Sequence, residues 1–146
     1  MILNNKGKYA VTAILDLCHF DKESQIEAKT VKLDDIARKH TLPLPYLEQI
    51  FANLRKSGIV KSKKGPGGGY FLAKEPDQIS ISQVIAATGE NLRMTSCTRP
   101  DEGCNLSQKT DNIKCKTHKL WFGLESKIAD YLDSVSIADV YNNNFG

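Results

Sequence analysis

Three cysteines and a histidine crowd one stretch of the chain. Cys97, Cys104, Cys115 and His118 are separated by six, ten and two residues. Thiolate sulfur and imidazole nitrogen are the donors that zinc and iron–sulfur centres take from a protein. Cys115 and His118 are three positions apart where a helical pattern begins, so both side chains project from one side of it. Residues 90–114, which carry Cys97 and Cys104, are rich in Thr, Ser, Asp and Asn and show little apolar periodicity. A long irregular segment in a small domain asks for a functional role, here folding two thiolates around a metal. Spacing alone does not choose between zinc and an iron–sulfur cluster. No general base accompanies the cysteines and no cofactor fingerprint is present, so the pattern does not point to an enzyme. Cys18 extends the apolar stripe of an N-terminal helix and reads as a core thiol. His19 and His40 have no comparable company and read as surface or packing residues.

A second constellation lies earlier. Lys61, Lys63 and Lys64 lead into Gly65-Pro66-Gly67-Gly68-Gly69-Tyr70. Cations beside glycines let a backbone approach a nucleic-acid groove without a Cβ in the way. A phosphate-cradling nucleotide loop would need a helix N-terminus behind the glycines, and a strand follows instead. Upstream, a helix offers Tyr46, Glu48, Gln49 and Asn53 on its polar face. Glutamine can bond adenine through two hydrogen bonds and a carboxylate can accept from cytosine N4. Charge agrees: residues 1–75 carry 13 Lys and Arg against 8 Asp and Glu, within a net +3 for the chain. A modestly basic half suits phosphate contact.

The elements that must position these groups follow from periodicity. With 146 residues, 40% hydrophobic and 25% charged, the chain has the length of one domain with an appendage. Residues 5 to about 20 read as a helix with Tyr9, Ala10, Ala13, Ile14 and Leu17 on one face, and 21–32 as a loop. A short helix, Leu33 to Lys39, and a tight connection at His40-Thr41-Leu42 lead to a third helix starting between Pro43 and Pro45. That third helix buries Leu44, Leu47, Ile50, Phe51 and Leu54. Ile59 to Lys63 and Tyr70 to Leu72 form a hairpin about the glycine turn, with Ile59, Lys61 and Lys63 expected on one face. Ser80 and Gln83 form a capping box for a helix ending near Gly89. A long helix then runs from about Cys115 to near Val135. Its Trp121, Leu124, Ile128, Tyr131 and Val135 follow a heptad seam that expects a second copy of the chain. The fold class is mainly α with a small β-hairpin. A winged helix-turn-helix domain occupies residues 1–88, a metal-binding loop 89–114, and a dimerisation helix with its tail 115–146. No apolar run reaches the roughly 20 residues of a membrane span and no signal peptide opens the chain, so a cytoplasmic, DNA-binding homodimer is expected.

Four stretches resemble the Rrf2 family of bacterial transcription regulators: Lys6-Gly7-Lys8-Tyr9-Ala10, Tyr46-Leu47-Glu48-Gln49-Ile50-Phe51, Leu54-Arg55-Lys56-Ser57-Gly58 and Gly65-Pro66-Gly67-Gly68-Gly69-Tyr70. Cys97, Cys104 and the run Cys115-Lys116-Thr117-His118-Lys119-Leu120-Trp121 resemble its iron–sulfur type. The resemblance implies a homodimer on double-stranded promoter DNA. It implies a [2Fe-2S] cluster held by Cys97, Cys104, Cys115 and His118, and control of cluster-assembly genes. It implies DNA contacts from Tyr46, Glu48, Gln49, Lys61, Lys63, Lys64, Gly65, Gly67, Gly68 and Tyr70. A nitric-oxide or redox sensor of the same family, or a zinc-bound DNA-binding protein, is the alternative. Three departures stand out. The gaps between the cysteines are longer than is usual in that type. Lys64 replaces a common arginine and so lacks its two-pronged hydrogen bonding. Pro43 and Pro45 sit where serines are common.

Overall fold

The computed structural model describes residues 5–21, 30–92 and 117–145. The chain opens with α1 (Asn5–Asp21), whose Ala10, Ala13, Ile14, Leu17 and Cys18 are buried. Helix α2 (Leu33–His40) is short and carries Asp34 and Asp35 in its first turn and Arg38, Lys39 and His40 in its last. That order of charge suits the helix dipole at both ends. Thr41 ends α2 in a left-handed conformation, φ 54° and ψ 50°, and reverses the chain towards α3 (Leu44–Lys56). Pro43 precedes α3 and Pro45 stands in its first turn, where a missing N–H costs no helical hydrogen bond.

A buried carboxylate ties this pair to α1. His40 Nε2 lies 2.6 Å from one oxygen of Asp16, and Lys39 Nζ donates to the other at 2.7 Å. His40 is therefore more than a packing residue: it anchors the turn of the helix pair.

The hairpin is antiparallel, β1 (Val60–Lys63) with β2 (Gly69–Leu72), pairing Val60 with Leu72 and Lys63 with Gly69. Ile59 is buried and lies before the strand, while Lys61 and Lys63 are exposed. The expected shared face for Ile59 and the lysines is thus corrected. The backbone turns between Ile59 and β1, because the Ile59 N–H still caps α3 by donating to Leu54 O at 3.0 Å. The loop expected over 21–32 is corrected at its end. Val31 is buried and pairs with Tyr70, each N–H donating to the other's carbonyl at 2.8 Å. The wing therefore has a third, one-residue strand contributed from before α2.

After a single 3-10 turn at Pro76–Gln78 comes α4 (Ile81–Ala87). Its capping box is as expected, with Ser80 Oγ accepting from the Gln83 N–H and the Gln83 side chain accepting from the Ser80 N–H. Helix α5 (His118–Ser134) begins three residues later than the expected Cys115, and Cys115 lies outside the described residues. The seam also needs correction at its end. Val135 is not on an exposed heptad face: it is extended, buried, and its carbonyl accepts the Ile81 N–H at 2.9 Å. The chain then enters α6 (Ile137–Tyr141), opened by a second capping box between Ser136 and Asp139. Ile137 N–H donates to Ile79 O at 2.8 Å, closing a bridge between Ser80 and Ser136.

One core joins these elements. Ile14 of α1, Phe51 and Leu54 of α3, Ile79, Ile85 of α4 and Ile137 of α6 are all fully or almost fully buried. Each such side chain contributes about 1.5–3 kcal/mol through area removed from water. Among the described residues, no helix is long and apolar enough to cross a membrane.

Candidate nucleic-acid interface and ligand set

Glu48 and Gln49 follow Leu47 on α3 but point away from the core, and both are exposed. A helix with Leu47, Ile50, Phe51 and Leu54 inward leaves the opposite face to solvent, and that face begins with Pro45, Glu48 and Gln49. Asn53 is half-buried.

Tyr46 stands at the junction of this face with α1. Its ring meets Tyr9 edge-on, centroids 6.0 Å apart at 88°. Its phenol is held above the ordinary value, first by burial, then by the negative charge of Glu90 and by Tyr9. Its hydroxyl therefore stays protonated and able to donate through neutral pH.

The wing projects beside α3. Phe51 of α3 packs against Tyr70 of β2, ring centroids 5.0 Å apart at 65°, and Arg55 Nη1 donates to Ser62 Oγ of β1 at 3.3 Å. Tyr70 thus fixes the angle between hairpin and helix, a packing role that its place in the glycine motif did not disclose. Lys61, Lys63, Lys64, Gly65 and Gly67 are exposed; Gly68 is half-buried. The turn is tight: Gly68 N–H donates to Gly65 O at 2.8 Å, and Thr30 Oγ1 donates to Gly67 O. A Cβ on Gly68 would lie 2.7 Å from that same Gly65 oxygen, so the turn needs glycine there for space. The structure thus brings Glu48, Gln49 and the three lysines to one side of the molecule, on two elements locked through Phe51, Tyr70, Arg55 and Ser62.

Of the four expected metal ligands, His118 falls within the described residues, while Cys97, Cys104 and Cys115 lie outside them. His118 is the first residue of α5, half-buried, with its ring stacked on Phe122 at 6.2 Å and 14°. Among the described residues its ring makes no hydrogen bond, which leaves its nitrogens open for ligation. Among the described residues no group of three or more His, Cys, Asp or Glu side chains forms a metal cage.

No side chain of α5 is fully buried. Trp121, Ile128 and Leu132 share one side at helical spacing and are half-buried, with Leu132 packed on the core. Beside them runs an exposed apolar line, Leu120 at 61%, Leu124 at 40% and Tyr131 at 50%. The expected seam is therefore split: Trp121 and Ile128 half-buried, Leu124 and Tyr131 exposed, and Val135 in the core. Ser82 of α4 donates to Asp133 of α5 and helps hold the helix at its C-terminal end.

Two short helices with a tight reversed turn, an exposed second helix and a lysine-tipped hairpin locked to it define a winged helix-turn-helix protein of the DNA-binding class. The sequence profile of the Rrf2 family, described as "Iron-dependent Transcriptional regulator", matches residues 3–143. The chain belongs to the Rrf2 family of transcription regulators, whose members bind DNA and are not enzymes. It is 41% identical over 143 residues to the HTH-type transcriptional regulator IscR of Erwinia tasmaniensis, covering 98% of this chain and 80% of that one. It is 41% identical over 142 residues to a putative HTH-type transcriptional regulator of Haemophilus influenzae, covering 97% and 87%. Among solved structures, T. potens IscR aligns with a TM-score of 0.74 and 32% identity over 98% of this chain and 88% of that one. CymR, the global cysteine regulator of B. subtilis, shares the fold at a TM-score of 0.75 and 24% identity, over 98% of both chains.

Proposed function

We propose that this regulator is a homodimer that holds a [2Fe-2S] cluster on Cys97, Cys104, Cys115 and His118 and controls cluster-assembly genes according to cluster supply. The observation that carries the reading is the position of His118. It opens α5 with its ring free of hydrogen bonds among the described residues, directly after the segment that supplies all three thiols. Three thiolates and one imidazole suit a two-iron centre, and relatives at 41% identity carry the name IscR. When bound, such a cluster supplies a reversible, oxidant-sensitive link between the cysteine segment and α5. The chain's own residues do the rest. Phe122 sets the plane of the His118 ring by stacking. Leu120, Leu124 and Tyr131 offer the apolar surface for a second copy. Glu48 and Gln49 reach base edges, while Lys61, Lys63 and Lys64 engage phosphates and the neighbouring groove, with Gly65, Gly67 and Gly68 allowing close approach. Tyr46 donates its phenolic hydrogen to a phosphate at the edge of that footprint.

Purification without oxygen, followed by a visible spectrum and iron, sulfide and zinc analysis, tests the reading. Iron and sulfide in equal amounts with visible absorption are expected, and His118→Ala should hasten bleaching. Colourless protein with stoichiometric zinc would sink the cluster assignment and leave a zinc-bound DNA-binding protein.

A further inference from the structure

We propose that Glu90 is a positioning residue through which the segment carrying the cysteines acts on the recognition helix α3, an inference that rests on the cluster reading above. Helix α4 ends at Ala87, and Gly89, at φ +81°, turns the chain back. Glu90 is thereby directed into the space between the N-terminal part of α1, the start of α3 and Ile85 of α4. Leu92, two residues on, packs against the core, so the base of the cysteine segment is fixed on either side of Asn91. Cys97 follows Glu90 by seven residues.

Three observations single Glu90 out. Both of its carboxylate oxygens are buried, and among the described residues neither has a hydrogen-bond partner. Nearly all buried polar groups in folded proteins are satisfied, so an orphaned pair calls for an explanation in function or strain. Second, the carboxylate rests directly on the backbone of α1. Gly7 is buried, and a Cβ there would overlap Glu90 Oε2 and come within 3.5 Å of Ile85 Cγ1. The seat exists because position 7 has no side chain. Third, the carboxylate's charge is felt at Tyr46, the first large polar side chain of α3, whose ring also meets Tyr9 of α1.

Together these place an unsatisfied acceptor between the root of the cysteine segment and the leading end of the reading helix. A seat that leaves both oxygens without donors is weakly held, so a small rearrangement of the segment can lift Glu90 out or bring it a donor. Either change alters the field and packing at Tyr46, and with them the entry angle of α3. The device is two-state, as transmission between sites requires. Its parts are Gly7, Glu90 and Tyr46.

The test uses the full chain with Glu90→Gln and Gly7→Ala, prepared without oxygen in cluster-loaded and cluster-free forms. Gln keeps the shape and removes the charge; the methyl at position 7 displaces the carboxylate while leaving the charge in the protein. The first measurement is the titration of Tyr46 by NMR of its ring carbon in cluster-free protein. In E90Q the midpoint should fall, because the charge that resisted ionisation is gone. The second is the ratio of duplex affinities between the loaded and cluster-free forms, on a duplex that the parent selects from a random pool. The parent ratio should lie in the range typical of coupled sites, about 5–150-fold, and should collapse to within about twofold in both variants. A merely structural role for Glu90 would weaken both forms alike and preserve the ratio, and that result overturns the proposal. So does an unchanged Tyr46 midpoint in E90Q. A parent that carries no cluster refutes the cluster reading instead, and the Tyr46 midpoint then still decides whether Glu90 addresses α3. If E90Q does not fold, G7A carries both measurements, its Tyr46 midpoint falling as the carboxylate is pushed away.

Discussion

Replacing Gly69 by alanine should detach the wing from the strand that steadies it. A Cβ at this position would stand 2.5 Å from Val31 O and 2.7 Å from Val31 C. Both atoms are backbone, so the overlap is not relieved by a side chain swinging aside. The Val31–Tyr70 bridge must open, and its two hydrogen bonds of 2.8 Å go with it. At about 0.5–1.5 kcal/mol net for each bond, the loss is about 1–3 kcal/mol. Urea unfolding should report it as a lower midpoint with unchanged slope, and the melting temperature should fall by about 2–4 °C for each kcal/mol lost. The hairpin is also the carrier of Lys61, Lys63 and Lys64. If it swings free, the dependence of duplex affinity on salt should flatten by up to about 0.9 for each lysine that loses its phosphate. Fluorescence anisotropy over a salt series measures this. A Gly69→Ala protein with parental stability and parental salt slope would refute the argument that Val31 holds the wing.

Lys64→Ala should weaken binding to all duplexes nearly uniformly and lower the salt slope by about 0.9; a sequence-selective loss would instead make Lys64 a base reader. Leu124→Asp places a charge in the exposed apolar line of α5 and should give a monomer by light scattering, whereas a persistent dimer would move the interface elsewhere. Asp139 is held below the ordinary aspartate value by the Ser136 N–H and then by the Ser136 hydroxyl. A depressed folded-state value stabilises above the ordinary carboxylate range, and that stability is lost as pH falls through the depressed value. Ser136→Ala should therefore raise the Asp139 midpoint towards the ordinary value by NMR and soften the acid side of the stability profile.

What could be read in the sequence was local. The stripe of α1, the inward face of α3 from Leu47 to Leu54, the Ser80–Gln83 box and the hairpin about the glycines all depend on neighbours within a few positions, and periodicity or turn chemistry exposes them. Val31 escaped notice because a one-residue strand has no period; it becomes a strand only when Tyr70, far along the chain, presents its backbone. Asp16 and His40 escaped for the same reason, being 24 positions apart. The short α6 did leave a signal, since Ser136 and Asp139 form a capping box, but the apolar spacing of Trp121 to Val135 invited one long helix through it. The face of α3 that offers Glu48 and Gln49 was legible from the same periodicity. Tyr70 was not, because a motif shows which residues recur and not that one of them is the bolt between helix and hairpin.

The bridge between Ser80 and Ser136 turns α5 into a lever. Its C-terminal end is pinned by the Ile81–Val135 and Ile137–Ile79 hydrogen bonds, and its 17 residues extend about 25 Å from that fulcrum at 1.5 Å per residue. A pivot of about 5° at the pinned end would swing the His118 end by roughly 2 Å over that length. Run in reverse, a ligand that grips His118 has the long arm and the DNA-binding domain the short one, so small forces at the histidine are multiplied where α4 meets the core.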